Sequence, residues 1–72
     1  MTDSETIRVT VNGQVHEVPG PITVEELLQR FDVQSRHTAV ERNREIVPRE
    51  RFAATRVCAG DVLEIVTLVG GG

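Results

Sequence analysis

An α+β fold, with one helix lying across one face of a small mixed sheet, is predicted by three features of the sequence. Ile7, Val9 and Val11 alternate with Arg8 and Thr10, which is strand periodicity with one apolar face. Val24, Leu27, Leu28 and Phe31 recur at i, i+3, i+4 and i+7, the single stripe of an amphipathic helix. Val62 to Val69 is the longest late apolar run and is apolar on both parities, as the centre of a sheet requires.

The remaining elements follow in chain order. Asn12-Gly13 after the first strand is a hairpin signal, because a type I′ turn needs positive φ at both central residues. A two-residue loop pairs Val11 with Gln14, so Arg8 faces Glu17, an opposite-charge cross-strand pair that favours this register. The same register sets His16 on the face of Val9, an awkward place unless the second strand, Gln14 to Val18, is a sheet edge. Pro19-Gly20-Pro21 is expected to break the hairpin. Thr23-Val24-Glu25-Glu26 is a capping box, and Ile22 with Leu27 occupies the two positions of a hydrophobic staple. A helix of roughly two to three turns follows. Asp32 to His37 reads as a connection, Thr38 to Arg42 as a short strand, and Asn43-Arg44 as a tight turn into Glu45-Ile46-Val47. Pro48 cannot donate to a ladder and ends that strand. One helical turn burying Phe52 is expected within Arg49 to Ala54, then a brief strand over Thr55 to Val57 and a turn at Gly60-Asp61. A hairpin, a helix and a long central strand placed last predict a β-grasp topology with a mixed sheet of roughly four to five strands. Residues 1–69 form its single domain and residues 70–72 a flexible glycine tail.

Composition narrows the function. Seventy-two residues leave room for one small domain, and 39% apolar with 26% charged residues is a folding composition. Eight basic and eleven acidic side chains leave a formal net charge of −3, which argues against nucleic acid as a partner. No run approaches the length of a membrane span, and the acidic start, Met1-Thr2-Asp3-Ser4-Glu5, has no apolar stretch behind it, so neither membrane nor secretion is expected. The lone Cys58 can form no internal disulfide and points to the cytoplasm. With two Phe, no Trp and no Tyr, a deep small-molecule pocket is hard to build, so a carrier or interaction module is favoured over an enzyme.

The chain ends Val69-Gly70-Gly71-Gly72. Such a run is either a bare tail or a thread: without Cβ atoms it fits a narrow channel in another protein and presents the Gly72 carboxylate as an unhindered acyl group. No phosphate-cradling glycine loop precedes a helix, so nothing in the chain binds ATP, and activation of that carboxylate has to come from a partner.

Glu41-Arg42-Asn43-Arg44-Glu45-Ile46-Val47-Pro48-Arg49, then Gly60-Asp61, Glu64-Ile65-Val66 and the three final glycines resemble the ThiS family, the sulfur carriers of thiamin (thiazole) biosynthesis; the Asn12-Gly13 hairpin fits as well. The resemblance covers nearly the whole chain and implies a ubiquitin-like β-grasp fold. It implies that the Gly72 carboxylate is adenylated by a ThiF-type (E1-like) adenylyltransferase using ATP. The adenylate then becomes a thiocarboxylate with sulfur from a donor such as a cysteine desulfurase, and the sulfur passes to a ThiG-type thiazole synthase. The carrier itself is no enzyme, binds no cofactor and is a monomer when free. Gly72 is then the covalent attachment point and Gly70 and Gly71 the threading residues. By analogy with ubiquitin-like folds, Leu63 and Ile65 face the helix, and Val66 and Leu68 lie on the open face as a partner-docking surface. The alternatives are a carrier of the same fold for molybdopterin or cysteine synthesis, and a ubiquitin-like protein modifier.

Other chemistry-bearing residues have plainer readings. Cys58 is expected to be a small half-buried residue in the turn before the last strand, and His16 and His37 have no companions at metal-ligand spacing. Glu25 and Glu26 diverge on the helix. Arg42, Arg44, Arg49 and Arg51 form a basic cluster, read as a solvated face or as a contact for an acidic partner. All eight basic residues are Arg, so the chain cannot build isopeptide chains on itself.

Overall fold

The computed structural model describes residues 5–68. Strands β1 (Glu5–Val11) and β2 (Gln14–Gly20) form the first hairpin, and β3 (Ile22–Thr23) leads into α1 (Val24–Arg30). Strands β4 (Thr38–Arg42), β5 (Glu45–Val47), β6 (Arg56–Val57) and β7 (Val62–Thr67) complete the fold. Five strands make one sheet in the order β2-β1-β7-β4-β5, while β3 and β6 pair separately. β7 lies at the centre, parallel to β1 and antiparallel to β4.

The first hairpin has the register that its turn dictates. Val11 pairs with Gln14 and Arg8 with Glu17. Asn12 and Gly13 adopt φ of 51° and 83°, the left-handed pair of a type I′ turn. The Arg8 guanidinium donates to Glu17 Oε2 at 3.1 Å, an exposed pair of small energetic weight. β2 runs on to Gly20 rather than stopping at Val18, with Pro19 opposite Thr6. An edge strand tolerates a proline because one side of it needs no ladder donor. Gly20 is needed for a different reason: a Cβ there would sit 2.7 Å from the Ile7 side chain.

The helix starts as its capping box requires. Glu26 N–H donates to Thr23 Oγ1 at 3.1 Å, and Thr23 N–H to Glu26 Oε1 at 3.0 Å. Its end is a Schellman motif, with Asp32 at φ 60°, Asp32 N–H on the Gln29 carbonyl and Val33 N–H on the Leu28 carbonyl. Phe31 is therefore the C-cap, at the end of the stripe, and its ring meets the His16 imidazole edge-on at 4.9 Å. An edge strand and an aromatic neighbour together accommodate a histidine on the core side.

The core joins Val9, Val11, Val18, Val40, Val47 and Leu63 of the sheet to Val24, Leu27 and Leu28 of the helix. Phe52 and Val57 close one end, Phe52 delivered by a 3-10 turn at Arg49–Arg51 as its apolar side chain demands. Cys58 is exposed rather than half-buried, because the turn after β6 points its side chain outward while its amide faces inward to Asp61. Asn43 and Arg44 form the second tight turn with φ of 52° and 70°, so an L-residue with a long side chain occupies a position that suits glycine.

Arg44→Gly is expected to stabilise the domain by about 0.5–1 kcal/mol, and Leu63→Ala, which empties a wholly buried site, to destabilise it by about 2–5 kcal/mol. Urea unfolding curves of the two variants check both signs.

Candidate functional site

The last strand is what the site is built on. Its alternation is clear: Leu63 is fully buried and Ile65 packs partly against the core, whereas Val62, Val66 and Leu68 are 46%, 53% and 58% exposed. Val66 and Leu68 thus lie on the sheet face away from the helix, and the exposed Ile46 of β5 borders the same depression as Val66. Ala39, Val40, Glu41, Ile46, Glu64 and Val66 line a shallow depression there. Gly70, Gly71 and Gly72 lie outside the described residues.

β7 is held along its length on the β4 side and as far as Ile65 on the other. On the β4 side the register runs from Arg42–Leu63 to Thr38–Thr67, and Leu68 N–H extends it by donating to the His37 carbonyl at 2.6 Å. On the other side β1 pairs only through Thr10 and Val11, and there the hairpin turn takes over. Asn12 Oδ1 accepts the Ile65 N–H at 2.7 Å, and Asn12 Nδ2 donates to the Ile65 carbonyl at 3.0 Å. One asparagine side chain acts as one more rung of the ladder. The second tight turn does the same at the strand's start: Asn43 N–H donates to the Val62 carbonyl at 2.7 Å, and Asn43 Oδ1 accepts the Val62 N–H at 2.9 Å.

Asp61, buried at the entrance to β7, ties these pieces together. It accepts from Arg42 Nε at 2.8 Å, Asn43 Nδ2 at 3.1 Å and Cys58 N–H at 2.8 Å. Burial pushes its carboxyl up, but the Cys58 amide, the Arg42 guanidinium and the Asn43 amide together outweigh that and hold it below the ordinary value near 3.8. Arg42 is raised in turn, chiefly by its hydrogen bond to Asp61. Arg42 therefore leaves the expected basic cluster and serves the fold, and Arg49 donates to the Arg36 carbonyl. The cluster is not a single free cationic face. Neither the Asp61 network nor the Asn12 rung was expected from the sequence. The available signals were an Asp at the mouth of a buried strand and an Asn in each of two tight turns.

No three His, Cys, Asp or Glu side chains gather to hold a metal among the described residues, and no helix there is long and apolar enough to cross a membrane. The geometry offers a braced central strand, an exposed apolar strip and a chain that continues beyond them to the glycines.

The model of the ThiS family matches residues 9–72. The chain belongs to the ThiS family. The sulfur carrier protein ThiS of Bacillus subtilis (strain 168) is 42% identical over 50 residues, covering 69% of this chain and 76% of that protein. A thiazole synthase of Paramagnetospirillum magneticum is 46% identical over 66 residues, covering 92% of this chain, and this ThiS-family chain spans only 20% of that protein's length. The crystal structure of the thiamine biosynthesis protein (ThiS) of Geobacter metallireducens superposes with a TM-score of 0.79 at 40% identity, covering 92% of this chain and all of that one. The predicted β-grasp architecture is thus the family's own.

Because Asp61 has a lowered carboxyl pKa in the fold, its contribution to stability is present above the unfolded value near 3.8 and is lost as pH falls through the folded one. Asp61→Asn is expected to be less stable than the parent at neutral pH, with the gap closing as the solution is acidified below about pH 4. Urea titrations of both proteins at a series of pH values measure the gap.

Proposed function

We propose that the chain is a sulfur carrier for the formation of the thiazole of thiamin, with the Gly72 carboxylate as the carrying group. A carboxylate is inert to substitution until it is given a leaving group. A ThiF-type adenylyltransferase joins it to the α-phosphorus of ATP, releasing pyrophosphate and leaving an acyl-adenylate. Hydrosulfide displaces AMP to give the thiocarboxylate directly. Where the donor is a persulfide, as from a cysteine desulfurase, its terminal sulfur displaces AMP to give an acyl disulfide. A thiol then cleaves the S–S bond, leaving the carrier as a thiocarboxylate and itself ending in a disulfide. A ThiG-type thiazole synthase accepts the sulfur. Throughout, this chain supplies the acyl group and the docking surface and no catalytic residue: Gly70 and Gly71 thread the partner's channel, and Val66 and Leu68 rest on its surface. ATP belongs to the partner, and the reading places the carrier in the cytoplasm as a monomer between encounters.

The observation that carries this reading is the family match running through the glycine end to residue 72. It is supported by the relative named thiazole synthase, a fifth of whose length is similar to 92% of this chain. Exposed apolar side chains on the strand that leads to the glycines suit a transient protein contact.

Incubating the chain with a ThiF-type enzyme, ATP and a sulfur donor, then weighing it intact, is expected to show the gain of one sulfur in place of one oxygen. Deleting Gly72, or replacing Gly71 with Trp, is expected to abolish that gain with the unfolding curve unchanged. Amide linkage to other proteins in place of the sulfur gain would identify a protein modifier instead, and transfer of the label to thiazole synthase separates thiamin from other sulfur-carrying pathways.

A further inference from the structure

The open face carries a pairing that works against the fold. Glu41 of β4 and Glu64 of β7 are direct cross-strand partners, and their odd and even neighbours settle which way they point: Val40, Leu63 and Ile65 turn to the core, so both carboxylates share the opposite face. Like charges directly opposite one another destabilise a sheet. The neighbours do not relieve them. The other cross-strand partner of Glu41 is Ile46, and the next pair along the ladder is Ala39 with Val66. The two ion pairs formed among the described residues are Arg8 with Glu17 and Arg42 with Asp61, and neither involves Glu41 or Glu64.

Glu41 and Glu64 also line the depression described above, with the apolar Ala39, Ile46 and Val66. Ile46 is 66% exposed and Val66 53%, so that lining is open to a partner. Two acids with no counter-ion, set in an apolar rim on the strand that leads to the glycines, form a complement to a cation rather than a plain greasy patch. A second copy of this chain does not fit the face. A two-fold contact centred there would bring a second pair of carboxylates onto the first.

We propose that Glu41 and Glu64 receive an Arg or Lys side chain of the adenylating partner, with Ile46 and Val66 packing around its stem, and that this contact fixes where the carrier sits while its end is threaded. The inference rests on the carrier function proposed above and adds the charge that the partner has to present. It assigns the two glutamates a positioning role outside the chemical step. It also accounts for a repulsion that costs the free protein stability and is relieved on docking.

The test uses the full chain with a ThiF-type enzyme and ATP, following pyrophosphate release as carrier concentration is varied. The double variant Glu41→Gln/Glu64→Gln is expected to raise the KM for the carrier about tenfold, leave kcat within about twofold and flatten the dependence of KM on salt. Its melting temperature is expected to equal or exceed the parent's, because a repulsion has been removed. Glu64→Arg is expected to raise KM further, and Glu50→Gln, on the 3-10 turn after β5, to leave KM as it was. An unchanged KM in both the double variant and Glu64→Arg overturns the inference while the carrier function stands. A parent chain that is not adenylated at all overturns the carrier function, and the inference with it.

Discussion

Everything in this molecule is arranged around the placing of its final strand at the centre of the sheet. A chain end is ordinarily the least ordered part of a domain. Here the last element is paired on both sides, buries Leu63 completely and lies between β1 and β4. Leu68, the last described residue, lies at the middle of the sheet, so a partner that engages the open face meets the chain there at a fixed point.

The means of bracing that strand are economical. Parallel pairing with β1 stops at Val11, and the strand would lose its partner there. The Asn12 side chain reproduces a backbone amide's donor and acceptor and satisfies Ile65. Asn43 satisfies Val62 with its side-chain Oδ1 and its own backbone N–H. In both turns the left-handed backbone that an asparagine tolerates is what brings its amide within reach of the strand. Asp61 then locks the second turn to the first residues of the strand through three hydrogen bonds. The ion pair with Arg42 is largely shielded at Asp61, whose side chain is 10% exposed, and every acceptor there is used.

What could be read in the sequence divides along the same line. The hairpin register, the capping box, the helical stripe and the central last strand were legible because each is written in residues a few positions apart. The facing of Leu63 and Val66 came only by analogy with ubiquitin-like folds, because the last strand is apolar on both parities and alternation alone does not choose a face. Asn12 to Ile65 spans 53 positions, and Arg42 to Asp61 spans 19, so neither partner can be named until the fold has brought them together. The exposure of Cys58 was missed for a different reason: its amide is held by Asp61 only three positions on, and that turn geometry, which no hydrophobic pattern encodes, leaves its side chain outside. The Schellman ending was hidden by Asp32, which stands where glycine is the usual sign. Of the site, the glycines and the open-face residues were named from the sequence, whereas the opposition of Glu41 and Glu64 appears only when β4 and β7 are in register.

Local rules and global fold agree nearly everywhere in this chain, which makes their disagreements informative. Arg44 in a left-handed turn conflicts with backbone preference, and Glu41 facing Glu64 conflicts with charge pairing. The first lies at a loop tip, between β4 and β5. The second sits on the central strand, among apolar side chains that water does not favour. A domain of this size has little stability to give away. Retaining both a like-charge cross-strand pair and exposed apolar groups on one surface works against the bare domain, and a single docked partner with a cation and an apolar rim answers both at once. A carrier has to release each partner after the transfer, and a face that is slightly unfavourable when bare, yet satisfied by a small polar-centred contact, suits repeated binding and release better than a large hydrophobic interface.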